Sequence, residues 1–473
     1  MEDATTWIIA LVSGAAAVAG PIAAGHALLT KREPQVAGAW IAICLIFPLA
    51  GATVYYLFGI NRVRTRARKL VAEERIPPGH GPWHRHTSPT ISPEYAEQVR
   101  ISDAVSGRKL EGGNRLQVLH NGEEAYPAML QAIDAAQERV FLSTYIFETN
   151  ATGRRFIRAL TAAQRRGVDV RVLIDGFGEI YSWPRASTLL KRTEVPVARF
   201  LPPRLMPPQV SINLRNHRKI LVTDGRLAFT GGMNIGDRHL VESTHPHPVA
   251  DMHFSFDGPV ARQIEEVFLE DWAFTTGADH TLPSLARRHT DGALCRIIAD
   301  GPNEDLDRLI MTLIGALSAA REEVWVVSPY FLPTRPLMTA LEAAALRGVA
   351  VRVLLPEQSN LTFVDWATRH ILGELVHWGV QVYYQPAPFA HTKLFVIDRR
   401  YAQVGSANMD PRSLRLNFEL NAEIYNRPLA EQLAADCADI CARSRCVTEA
   451  ELEQRGAFER VRDAAAWLAS PYM

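Results

Sequence analysis

The chain has 473 residues, too many for one ordinary domain, so two or three folding units are expected. Its 51 basic and 51 acidic residues cancel, which excludes a globally basic nucleic-acid binder and leaves any charged surface local. Five cysteines (Cys44, Cys295, Cys437, Cys441 and Cys446) make an odd set without zinc-site spacing, so buried thiols on helical faces are expected.

Residues 7–29 contain no Asp, Glu, Lys or Arg and are long enough to cross a bilayer. Residues 37–60 are also uncharged, with Trp40 near one end and Tyr55 and Tyr56 near the other, the spacing of an aromatic belt. The acidic start Met1-Glu2-Asp3 argues against a cleaved signal peptide. Both stretches are apolar all round, unlike the two-faced helices of a soluble core. Only Lys31 to Pro34 separate them, which predicts a transmembrane helical hairpin. Five basic residues follow within Asn61–Lys69. By the positive-inside rule they place that end, and the rest of the chain, in the cytoplasm, while Lys31-Arg32 pulls weakly the other way. The same run can hold anionic headgroups at about 1 kcal/mol per charge.

Pro77 to Pro93 reads as a linker or surface loop. Its His80, His84 and His86 lack the cysteines or helical spacing of a metal site. From Leu116 strands and helices alternate. Helices are predicted at 126–137 and 155–166, and strands at 140–147 and 168–174. The order returns with helices at 309–321 and 336–347 and strands at 324–331 and 349–355. Arg165-Arg-Gly-Val-Asp-Val-Arg-Val-Leu173 matches Leu346-Arg-Gly-Val-Ala-Val-Arg-Val-Leu354, so a whole half-domain is duplicated. Short β-α-β connections predict a largely parallel sheet covered by helices.

The duplication also carries a chemical motif. His217-Arg-Lys219 leads through an apolar run to Asp224 and then Gly231-Gly232-Met-Asn234. His391-Thr-Lys393 leads likewise to Asp398 and then Gly405-Ser406-Ala-Asn408, with the same interval from His to Asn. On an extended chain His and Lys two apart share a face. An imidazole beside a fixed cation suits phosphate chemistry, since one attacks or protonates while the other neutralises oxygen charge.

This doubled H-x-K-x4-D…G-[GS]-x-N pattern resembles the phospholipase D superfamily. The N-terminal segments (Phe47-Pro48 to Gly59), Asn417-Phe418-Glu419 and the tail from Leu468 to Pro471 resemble bacterial cardiolipin synthases. The resemblance implies an α/β fold of duplicated halves, with mixed, largely parallel sheets related by a pseudo-two-fold. The implied units are the hairpin and basic collar (1–69), a linker (70–115) and two halves (116–290 and 291–473). The implied catalytic residues are His217, Lys219, Asp224, His391, Lys393 and Asp398, with Asn234, Asn408, Asp251 and Glu419 in support. Among these, Asp224 and Asp398 are expected to brace strand and turn. Asp251 and Glu419 are expected to fix the histidine tautomers.

The implied reaction joins two phosphatidylglycerols into cardiolipin, releasing glycerol through a phosphohistidine. His217 is taken as nucleophile and His391 as acid/base, although the motif itself is symmetric. No metal or cofactor is called for. The alternative is a phospholipase D in which water resolves the intermediate and phosphatidic acid is released. Where relatives tend to read Trp-Arg-Asp this chain has Val249-Ala250-Asp251, so Arg215 or Arg238 is expected to replace the missing arginine. Tyr145 and Tyr330 are candidates for a pocket wall, and Phe331 for the core. Phospholipids of a bacterial inner membrane are the expected partners, not nucleic acid; the oligomeric state is open, a homodimer being one option.

Overall fold

The computed structural model describes residues 2–31, 33–60, 91–203, 214–278, 288–301 and 307–470. The chain divides into an N-terminal helical unit and an α/β unit that carries every candidate site residue. The basic run 61–69 and the loop with His80, His84 and His86 lie outside the described residues.

In the helical unit, α1 (Glu2–Thr30) contains the one described helical stretch long and apolar enough to span a bilayer. The second apolar stretch is not one continuous helix. It forms α2 (Pro34–Ile46), stops at Phe47, restarts as α3 (Pro48–Val54) and ends in a π-helical turn, Tyr55–Gly59. Pro48 is the physical cause. It lacks an N–H and drives its predecessor out of the helical region, and Phe47 sits at φ −121°, ψ 72°. Beyond it α3 folds back along α2. The Trp40 and Tyr55 rings meet edge to face at 5.1 Å. A Cβ on Gly51 would stand 2.3 Å from the Ile43 carbonyl oxygen, so only glycine allows this approach. The two expected apolar helices thus take the form of one long helix beside a short helical hairpin.

In the α/β unit the first half comprises β1 (Glu111–His120), β2 (Arg139–Thr144), β3 (Asp169–Asp175), β4 (Val197–Phe200), β5 (Ile220–Thr223), β6 (Leu227–Gly231), β7 (Val249–Ala250) and β8 (Met252–Asp257). The second comprises β9 (Ala293–Asp300), β10 (Glu323–Val327), β11 (Ala350–Pro356), β12 (Gln381–Gln385), β13 (Phe389–Ala390), β14 (Leu394–Ile397), β15 (Tyr401–Gly405) and β16 (Glu419–Tyr425), followed by the short edge strand β17 (Arg445–Cys446). The helices predicted in each half form at 121–135, 151–165, 308–319 and 335–346. Gly167 (φ +88°) and Gly348 (φ +90°) end the second helix of each half in the left-handed region.

One sheet runs β4-β3-β2-β5-β6-β8-β1-β9-β16-β15-β14-β10-β11-β12-β17. Read outward from the β1–β9 seam, β1 to β4 and β9 to β12 follow the same order. Only β2-β3-β4 and β10-β11-β12 pair in parallel, and the other ladders of this sheet are antiparallel. The expectation of a largely parallel sheet is corrected accordingly. The crossover helices account for the parallel ladders, but each motif strand turns back in a hairpin. Those turns place Asp224 (φ 53°) and Gly225 (φ 62°), and Asp398 (φ 48°) and Arg399 (φ 49°), in the left-handed region that two-residue hairpins use.

The linker expected over 70–115 also ends early. A helix at Ala96–Ser106 is built into the α/β unit, where Gln98 donates to the Thr312 carbonyl (3.2 Å), Ser102 donates to Glu423 (2.7 Å) and Asp103 pairs with Arg296.

Candidate active site

Two short crossings between the halves set the positions of the histidines. Asn216 bridges Phe418 in parallel, and the His217 N–H donates to the Phe418 carbonyl at 2.9 Å. In the counterpart, β7 pairs in parallel with β13, and the His391 N–H donates to the Ala250 carbonyl at 2.8 Å. The residue after each crossing on the partner strand is a carboxylate, Glu419 or Asp251. Each histidine therefore meets the acid of the other half. His217 Nδ1 lies 3.0 Å from Glu419 Oε1, and His391 Nδ1 lies 3.0 Å from Asp251 Oδ2.

The lysines lie beneath the imidazoles. Lys219 Nζ donates to the His217 carbonyl (2.7 Å) and sits 5.7 Å from the Tyr145 ring centre. Lys393 Nζ donates to the His391 carbonyl and also lies 2.9 Å from His391 Nδ1. Tyr145 stands edge-on to His217 at 5.3 Å and Tyr330 edge-on to His391 at 6.3 Å, so the two tyrosines flank the site symmetrically. Phe331 is buried in the hydrophobic core, as expected.

The family model described as "Cardiolipin synthase, PLD-like domain" matches residues 129–272 and 313–440. The chain belongs to the cardiolipin synthase family. A phospholipase D-nuclease N-terminal model matches residues 21–59. Cardiolipin synthase A of Pseudomonas aeruginosa is 33% identical over 449 residues, covering 91% of this chain and 89% of that protein. Cardiolipin synthase of Geobacillus kaustophilus is 30% identical over 470 residues, covering 94% and 90%. Among solved structures, phosphatidylserine synthase of Haemophilus influenzae superposes with a TM-score of 0.62 at 13% identity. That match covers 81% of this chain and all of the other, and shows the shared α/β fold.

In this cardiolipin synthase family member burial dominates the electrostatics of the site. It lowers His217 to about 4, helped by Lys219 and Lys393 and resisted by Glu419. Burial, Lys393 and Lys219 hold His391 well below its ordinary value, with His239 and His217 contributing. The motifs of the two halves thus share one electrostatic environment. Lys219 is driven well down by burial, and Lys393 to about 8. A bound phosphodiester anion would favour the charged form of each.

The two carboxylates differ. Burial raises Asp251 to about 7 against the pull of Lys393. Burial would raise Glu419 too, but His217, Lys219 and the Ser406 hydroxyl outweigh it and leave this carboxyl below its ordinary value. Ser406 donates directly to Glu419 Oε2. The equivalent position in the first half is Gly232, whose absent Cβ would lie 2.6 and 2.7 Å from the Asp251 oxygens. One motif thus supplies its acid with a serine hydroxyl, and at the same position the other has a glycine that leaves room for the Asp251 carboxyl.

The remaining residues sort by contact. Asn234 Oδ1 accepts the Ile146 N–H at 3.1 Å, and the Asn408 amide donates to Ser413 at 3.1 Å. Asp224 accepts the backbone N–H groups of Gln137, Glu138 and Arg139, and Asp398 those of Arg321, Glu322 and Glu323. Both sit at the end of the motif strand opposite the histidine, where they brace the start of β2 and of β10. Both arginines expected to replace the missing one already have an acid partner. Arg215 is buried against Asp175 (3.3 Å), and Arg238 is paired with Glu148. Sequence reasoning missed Arg218, between His217 and Lys219. Its guanidinium pairs with Asp271 (2.5 Å) and donates to the Glu419 and Asp300 carbonyls at 3.0 and 3.1 Å, which ties the halves together behind the site.

Proposed function

We propose that this chain transfers a phosphatidyl group between two phosphatidylglycerol molecules, making cardiolipin and releasing glycerol. The observation that carries the reading is the exchange of carboxylates between the halves, which gives two oriented imidazoles over two lysines in one environment. The neighbours of each Nδ1 assign the roles. Around His217 Nδ1 the Glu419 carboxylate and the Ser406 carbonyl (3.2 Å) are all acceptors, so Nδ1 carries the proton and Nε2 keeps its lone pair. His391 Nδ1 faces a donor in Lys393 and, in Asp251, a carboxyl that holds a proton up to about pH 7. His391 can therefore carry its proton on Nε2.

The reaction balances on these groups. His217 Nε2 attacks phosphorus, the bond to the glycerol oxygen breaks, and His391 Nε2–H protonates that oxygen. Asp251 or Lys393 restores a proton at Nδ1. The hydroxyl of a second phosphatidylglycerol then gives its proton to His391 Nε2 and attacks phosphorus, releasing His217, while His391 Nδ1 returns its proton to Asp251 or Lys393. Lys219 and Lys393 neutralise the phosphoryl oxygens as charge develops, and Asn234 and Asn408 are assigned to add amide donors. The matching strand orders support a pseudo-two-fold between the halves, with the two histidines on either side of it. The apolar N-terminal helix supports residence in a bacterial inner membrane, with the α/β unit on the cytoplasmic side.

The test is to incubate purified protein in mixed micelles with phosphatidylglycerol and follow the lipids by mass. Cardiolipin and free glycerol in equal amounts are expected. Phosphatidic acid without cardiolipin would assign water as the acceptor and overturn the transferase reading.

A further inference from the structure

The helical unit has a geometry that its composition does not suggest. From Thr6 to Thr30, α1 runs for 25 residues, or about 37 Å at 1.5 Å per residue, against a hydrocarbon core of about 30 Å. The tip of the α2–α3 hairpin reaches only halfway along it. A Cβ on Gly20 would stand 2.7 Å from the Cys44 carbonyl and 3.0 Å from Pro48 Cβ, so the tip lies level with Gly20. Ten residues separate Gly20 from Thr30, about 15 Å or half the core.

The other end of the hairpin returns to the C-terminal end of α1. Lys31 Nζ donates to the Gly59 carbonyl at 2.5 Å, and His26 Nδ1 lies 2.7 Å from the Tyr55 hydroxyl. In a pair of crossing helices Lys31 and Gly59 would sit at opposite membrane faces, about 30 Å apart. Part of the tip's backbone is paired within the tip itself. Phe47 N–H donates to the Ile43 carbonyl (3.0 Å), Gly51 N–H donates to the Phe47 carbonyl (2.6 Å), and Pro48 has no N–H. The outer faces remain apolar and exposed, with Leu11 at 76% and Phe47 at 61%.

We propose that this chain crosses the bilayer once, through α1, and that α2–α3 is a re-entrant hairpin confined to the leaflet at the C-terminal end of α1. Lipid tails of that single leaflet cover the exposed faces of Ile46, Phe47 and Leu49. Tyr55, His26 and Lys31 lie at headgroup level, where amphipathic side chains anchor. The arrangement removes a conflict in the sequence. Lys31 and Gly59 lie at the same end of the unit, and the positive-inside rule assigns that end to the cytoplasm. The N-terminal end of α1 then lies on the opposite face. Chain connectivity carries the argument, independently of any activity.

Cysteine labelling in spheroplasts of a Gram-negative host tests the topology on the full chain. Cys446, exposed on the α/β unit, is the internal reporter, and Cys44 is replaced by alanine. Ala4→Cys and Glu33→Cys are added separately, and cardiolipin formation in the same membranes confirms folding. With a membrane-impermeant maleimide, Ala4→Cys is expected to label in intact spheroplasts, and Glu33→Cys and Cys446 only after lysis. Labelling of Glu33→Cys or Cys446 in intact spheroplasts, or failure of Ala4→Cys to label there, overturns the single crossing.

Discussion

His391 Nδ1 lies 3.0 Å from Asp251 Oδ2, although 140 residues of chain and the boundary between the halves separate them. His217 and Glu419 repeat the relationship in the other direction. Neither half holds both an imidazole and the acid that orients it.

The difference between the two acids predicts a pH profile. On the proposed mechanism His217 attacks only when neutral, so activity should be lost as pH falls through about 4. The Asp251 proton is lost as pH rises through about 7, and activity falls with it. A bell-shaped kcat/KM with limbs near these values is expected. Asp251→Asn should lower kcat by about 100-fold or more and abolish the inflection near 7, whereas Glu419→Gln should lower kcat and keep it. An unchanged upper limb in Asp251→Asn would refute the assignment of acid and nucleophile.

Ser406→Gly removes the hydroxyl that helps keep Glu419 ionised and converts the second motif to the glycine pair of the first. Loss of one hydrogen bond to a charged group predicts a fall in kcat of about tenfold, with the acid limb moved to higher pH once protonation of the raised Glu419 carboxyl, and no longer that of His217, limits activity. KM for phosphatidylglycerol should hold, since the hydroxyl is spent on Glu419. A profile that loses amplitude without moving would mean that Ser406 serves packing alone.

Gly232→Ala puts a methyl group against both Asp251 oxygens and 2.8 Å from the His391 carbonyl oxygen. The acid must move by several tenths of an ångström, and His391 loses its orientation. Activity should fall by about 100-fold, as misplaced catalytic groups do. Steady-state turnover compared with wild type checks this, and full activity would show that Asp251 can shift at no cost.

Asp224→Ala and Asp398→Ala each leave three backbone N–H groups without their carboxylate and place alanine in the left-handed region. A loss of roughly 2–4 kcal/mol of stability is expected, with turnover per folded molecule largely kept. Asparagine at either position should restore part of the loss, since it tolerates that backbone. Chemical denaturation with activity measured on the folded fraction separates this from a catalytic role, which would abolish turnover at unchanged stability.

The duplicated motif made the reacting groups legible, because two matched copies leave little room for coincidence. Asp251 and Glu419 were legible as residue types too. Their exchange of partners was not, because the spacing from each histidine to the acid downstream in its own half does not encode which strands cross. The direction of the sheet was misjudged because β-α-β order dominates the sequence, while the antiparallel ladders come from the short hairpins that end at Asp224 and Asp398. In the N-terminal unit, uncharged length suggested a second span. Phe47-Pro48 was the available signal, a helix breaker at the middle of that stretch.

The order of synthesis gives the exchanged acids a further consequence. The N-terminal helices leave the ribosome first and can enter the bilayer while the rest of the chain is still being made. At that stage His217 has emerged but Glu419, about two hundred residues behind, has not. On the proposed mechanism the nucleophile of the nascent protein then lacks its partner until β16 pairs with β9. A half-made chain, still without Glu419, His391 and Lys393, would be unable to open the membrane lipids around it.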